Sequence, residues 1–124
     1  MNITWYGLSC FEIETKHLDE TATLILDPYQ NGSGLRFPRT LSAAIVAMTR
    51  DHEDQNNIDA VSGNPFIISG PGEYEIKSIF LYGIENGPVT IYRIEAEGLS
   101  VAHLGPLNRD LTDQELEQLP SIDV

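Results

Sequence analysis

Basic residues are scarce in this chain. Seven Lys and Arg stand against nineteen Asp and Glu in 124 residues, a formal charge of −12. A surface of that sign repels phosphate backbones and anionic headgroups, so nucleic acid and membranes are not expected partners. It keeps a protein soluble, and at its sharpest it would dock a basic partner. Cysteine is nearly absent: Cys10 stands alone, so no disulfide can form within the chain, and a reducing compartment fits. Long apolar runs are missing too, and none approaches the length of a membrane-spanning helix. The opening MNITWYG has neither the basic nor the apolar region of a signal peptide. The expected location is therefore cytoplasmic. No internal repeat, linker or low-complexity segment interrupts the sequence. With 41% hydrophobic residues it reads as one globular domain over residues 1–124.

Period-two alternation dominates what is present. Ile3 and Trp5, then Phe11 and Ile13, alternate with polar neighbours on either side of Gly7-Leu8-Ser9, which predicts two strands and a tight turn. Residues 21–27 (TATLILD) read as a third strand, apolar enough to be buried on both faces and stopped by Pro28. Residues 29–39 carry turn formers and no period, as a loop of functional length does. Further strands are expected at 43–48, 65–69, 74–82, 89–94 and 99–104. Asn86-Gly87 marks a hairpin, and Glu97-Gly98 a turn. A short helix is expected around Ile58 and Val61. A second is expected after Thr112, with Glu115 completing a capping box and Leu111, Leu116 and Leu119 as its buried stripe. Ile122-Asp123-Val124 reads as the start of another strand. The count is about eight strands and two short helices, mostly in meander order.

Chemistry-bearing residues gather in Arg50-Asp51-His52-Glu53-Asp54-Gln55, between a buried strand and a short helix. His52 and Asp54, two residues apart at a strand end, can face one cation. Polar residues at a helix start also serve as caps. His103, near the end of LSVAHLG, reads either as a hydrogen-bonded core residue or as a ligand.

Read together and in order, WYGLSCFEIET, LILDPYQNGSGLRFPRTLSA, TRDHEDQNN, GPGEYEIKSIFLYGI, TIYRIEAEG and HLGPL are more specific. The chain resembles the Zn-dependent hydrolases of the metallo-β-lactamase fold, in the branch similar to ascorbate-6-phosphate lactonase. The resemblance spans all 124 residues but only about the first half of a full-length member. It implies an α+β domain that is half of an αββα sandwich, with mainly antiparallel or mixed sheet and two short helices.

Carried over residue by residue, the resemblance implies a depleted metal site. The HxHxDH motif of the family falls on Arg50, His52, Asp54 and Gln55, so two histidines are replaced. The HLGD motif falls on residues 103–106, where His103 remains and Pro106 stands for the aspartate. Leu8 replaces the histidine of a GHS motif. His52, Asp54 and His103 are thus the vestigial ligands, and Leu8, Arg50, Gln55 and Pro106 the substituted positions. Catalytic zinc takes about three protein ligands and an open water position. Arg50 adds a fixed cation, expected to pair with Asp54 or Glu53 in place of the metal.

The expected function is accordingly non-catalytic: a binding, scaffold or engineered structural module with no catalytic residue and no cofactor. The alternative is a reduced hydrolase or metal-binding protein that gathers weakly bound zinc on His52, Asp54 and His103. Because the second half of the family fold is not encoded, the inner face of the sheet is expected to be left wet. A homodimer through that face would cover it.

Overall fold

The computed structural model describes residues 1–32, 34–53 and 56–124. Among the described residues nine strands form two sheets: β1 (Asn2–Gly7), β2 (Cys10–His17), β3 (Glu20–Leu26), β4 (Ile45–Ala47) and β5 (Phe66–Ile68) in one, and β6 (Gly72–Ile76), β7 (Ile79–Asn86), β8 (Val89–Ala96) and β9 (Leu99–His103) in the other. Each sheet keeps its strands in sequence order. The first is mixed, since β1 to β3 are antiparallel while β3, β4 and β5 run parallel. The second is antiparallel throughout. The expected mixed and antiparallel sheet is present, and the chain is mostly sheet.

The hairpins follow from local chemistry. β8 and β9 turn at Glu97-Gly98, both at positive φ as a two-residue hairpin turn requires. The strand expected over 74–82 is instead two strands, because Lys77 and Ser78 adopt φ of 50° and 63° and reverse the chain. Neither residue is a Gly, Asn or Asp, the types that most readily take positive φ, so the reversal was not visible in the sequence.

The helices fall short of expectation. Residues 58–60 make a single 3₁₀ turn, and Asp113–Glu117 is the one α-helix, α1, among the described residues. Its capping box is formed as expected: Thr112 Oγ1 accepts from the Glu115 amide, and the Glu115 carboxylate accepts from the Thr112 amide. Its buried stripe is not. Leu116 is half exposed, while Glu115 is buried because Arg109 reaches it with two hydrogen bonds, of 2.7 and 3.1 Å. A five-residue helix is too short for its leucines to decide its orientation against a paired charge.

Alternation in β3 and β4 sends apolar side chains to both faces. Leu24, Leu26, Ile45, Ala47 and Ile68 meet Ile79, Leu81, Tyr92, Ile94 and Val101 of the second sheet in one core. On the other face Cys10, Ile25 and Val46 pack with Tyr29, Phe37, Leu41, Ala43 and Val61, so loops rather than helices form the outer layer. Each fully buried Leu or Ile contributes roughly 1.5–3 kcal/mol.

This corrects the expectation of a wet inner face. A second sheet is encoded within the chain and lies over β3, β4 and β5, which removes most of the driving force argued for pairing two copies. What stays open is the β1 corner. Ile3 and Trp5 share the inner face with their partners Ile13 and Phe11, yet remain 40% and 65% exposed. No helix among the described residues is long and apolar enough to cross a membrane.

Candidate functional site

Three strand ends converge where β3, β4 and β9 finish. Asp27 follows β3 at φ 46°, a left-handed conformation that Asp tolerates better than most residues, and its side chain is wholly buried. A buried carboxylate needs partners. Asp27 has them: Oδ1 accepts the Thr49 amide at 2.7 Å, and Oδ2 accepts the Thr49 hydroxyl at 2.8 Å. His103 Nε2 stands 3.0 Å from the same Oδ2. Facing a carboxylate oxygen, Nε2 carries a hydrogen and donates it to Asp27.

The surroundings hold this group still. Phe11 packs edge-on against the His103 ring at 5.6 Å, and the Tyr92 hydroxyl donates to the Met48 carbonyl at 2.8 Å. Gly105, at φ 59°, lies so close that a Cβ there would sit 2.6 Å from Thr49 Oγ1. Burial, with Asp27 and Glu12 adding to it, pushes the Cys10 thiol up to about 12, so it stays protonated and is not a nucleophile at neutral pH.

A cleft of about 750 Å³ opens from His103 toward the β1 corner. Ile3, Leu8, Phe11, Val101, Leu104 and Pro106 are among its apolar walls, and Ser9, Arg50 and His103 supply polar groups. A second cleft, of about 440 Å³, adjoins it across Arg50 and Pro106 and is bordered by His52, Asn86 and Arg109. Leu8 sits on the β1–β2 turn at φ 50°, half exposed, with its carbonyl accepting the Trp5 indole N–H at 2.9 Å.

The expected site residues are therefore neighbours, distributed over two clefts. Leu8, Arg50, His103 and Pro106 line the larger one, and Arg50, His52 and Pro106 the smaller. Asp54 and Gln55 lie outside the described residues, as does the expected pairing of Arg50 with Asp54. Among the described residues no three His, Cys, Asp or Glu side chains are placed to hold a metal ion. Sequence reasoning missed Asp27 and Thr49. The available signal was an acidic residue closing the apolar run LIL directly before Pro28.

No curated protein matches the chain by sequence. Among solved structures, a protein of Thermotoga maritima assigned to the Zn-dependent hydrolases of the metallo-beta-lactamase superfamily superposes with a TM-score of 0.79 at 30% sequence identity. The match covers 98% of this chain and 57% of that one, so the chain spans little more than half the length of its relative. The family model described as beta-lactamase superfamily domain matches residues 2–124, and the chain belongs to that superfamily.

Proposed function

We propose that this domain is a non-hydrolytic binding module of the beta-lactamase superfamily, with the cleft beside His103 as its ligand site. One observation carries the reading: Leu8, Arg50, His103 and Pro106, which the resemblance places at family ligand positions, line this cleft together. Leucine and proline have no donor atom, and the guanidinium is a permanent cation that repels a dication. His103 is the one potential metal donor of the four, and its Nε2 is already engaged by Asp27. This set does not fit a zinc centre, which takes about three protein ligands and an open position. No catalytic step is assigned to it.

A second reading keeps a weak metal site on His52, Asp54 and His103. It is favoured by the adjoining clefts, which bring His52 and His103 to either side of Arg50 and Pro106. Metal analysis of protein purified without chelator, followed by esterase and lactonase assays with added zinc, separates the two. The module reading expects substoichiometric zinc and no turnover. One zinc per chain with turnover above background overturns it.

A further inference from the structure

We infer that the chain carries a second ligand site, on the outer face of the second sheet, for a neutral polyhydroxylated molecule of mono- or disaccharide size. It lies across β9 from His103, and the inference stands apart from the reading of the His103 cleft.

The site begins with strand register. Phe80 pairs with Glu95 and Glu95 with Ser100, so β7, β8 and β9 set three side chains in one row. Their chain neighbours Ile79, Ile94 and Val101 belong to the core, which puts the row on the outer face. The row borders a cleft of about 750 Å³, inside the usual range of roughly 300–1,000 Å³ for small-molecule sites. Arg93, Gly98 and Asp123 border it too. From Asp123 the backbone runs along β9 from Ser100 to Ala102, away from the Gly98 end of the cleft.

Two buried polar atoms meet there without partners. Among the described residues three buried side-chain polar atoms lack a hydrogen bond, and two of them, Ser100 Oγ and Arg93 Nε, belong to residues that line this cleft. Ser100 is only 7% exposed. A buried hydroxyl left unpaired costs its desolvation without stabilising the fold. A ligand on the cleft floor offsets that cost, and a serine hydroxyl turns between staggered rotamers to meet one.

The ligand class follows from which groups are already engaged. Arg93 Nη2 pairs with Glu95, the Met1 amine pairs with Glu97, and Asp123 Oδ2 accepts the Ser100 amide at 2.9 Å. The unpaired groups are instead a hydroxyl, which both donates and accepts, and a single N–H. The hydroxyls of a sugar complement both. Phe80, 37% exposed in the same row, offers a ring face to the C–H side of a pyranose.

Titration of glucose, galactose, mannose and maltose into nitrogen-labelled chain, followed by NMR, tests this. Saturable binding of at least one of them is expected at about millimolar order, the usual scale for so small a ligand. The Ser100 amide and Arg93 Nε–H signals should move with it. Glucosamine and gluconate, the cationic and anionic controls, should bind no tighter than the best neutral sugar. Ser100→Ala should weaken binding by about fivefold to tenfold, the worth of one hydrogen bond, while leaving the denaturant midpoint unchanged or raised. Phe80→Ala, at a half-exposed position, should weaken it by a similar factor. No saturable binding by any of the four sugars, tighter binding of either charged control, or indifference to both variants overturns the proposal. A clear loss of stability in Ser100→Ala also overturns it, because the hydroxyl would then be serving the fold. Zinc content and turnover, which decide the reading of the His103 cleft, are unaffected by any of these outcomes.

Discussion

The two ends of one sheet face show how far patterning reaches. At β3 and β4, Leu24, Leu26, Ile45 and Ala47 point inward and are sealed under the second sheet. On β1, Ile3 and Trp5 point the same way by the same alternation, yet lie open. Alternation fixes which face a side chain takes; what lies above it is set by how many strands the other sheet has. The second sheet has four strands against five, and the uncovered strand borders the cleft.

The largest expected effect breaks this comparison at its closed side. Leu24→Ala should cost about 2–5 kcal/mol in denaturant unfolding, as buried leucines do, whereas Ile3→Ala should stay below about 1 kcal/mol. Similar losses at both positions would mean that β1 is covered in solution, as it would be in a pair of chains. Sedimentation at micromolar concentration checks that directly, and a single chain is the outcome the covered core predicts.

Next in size is the buried junction between the two regions. Asp27→Ala strands the Thr49 amide, the Thr49 hydroxyl and the His103 imidazole at once. A loss of about 3 kcal/mol or more is expected. Asp27→Asn keeps an acceptor and should cost less.

A smaller effect belongs to the C-terminal segment, outside both regions. Arg109 draws the Glu115 carboxyl down to about 2, with the Thr112 amide helping. A group whose pKa is lowered by folding contributes stability above its unfolded value of about 4.3, and the contribution is lost as pH falls toward 2. Melting temperature should therefore drop over that window, and Glu115→Gln should flatten the drop there while leaving other carboxylates to act. An unchanged slope would place the Arg109 pair in solvent.

The smallest effect is at the open corner. Leu8→Gly removes the Cβ from a left-handed position while freeing the unfolded chain, so stability should be unchanged or rise by up to about 1 kcal/mol. A clear loss in thermal unfolding would mean that Leu8 is packed, contrary to its exposure.

Much of the fold was legible because β-rich sequences announce their faces. TLILD reads as a strand buried on both sides, and Leu24, Ile25 and Leu26 are. Thr112 and Glu115 announce a cap that forms. What was not legible depended on contacts distant in sequence. Lys77-Ser78 turns because β6 and β7 pair, and Leu116 yields to Glu115 because Arg109 arrives from outside the helix. The site was half legible. His103 could be named, but its partner Asp27 lies 76 residues away, and nothing short of the sheet order joins them. The second sheet was overlooked for the same reason: its strands were visible, but not that they fold back over the first.

The central claim is that the cleft beside His103 binds without a catalytic metal. Calorimetric titration of zinc into chain purified without chelator tests it most directly. The account predicts binding no tighter than about micromolar, as an incomplete ligand set gives, with Arg50→His tightening it by restoring a donor and removing a cation. A single zinc per chain, retained through purification and bound far more tightly than that, would contradict it.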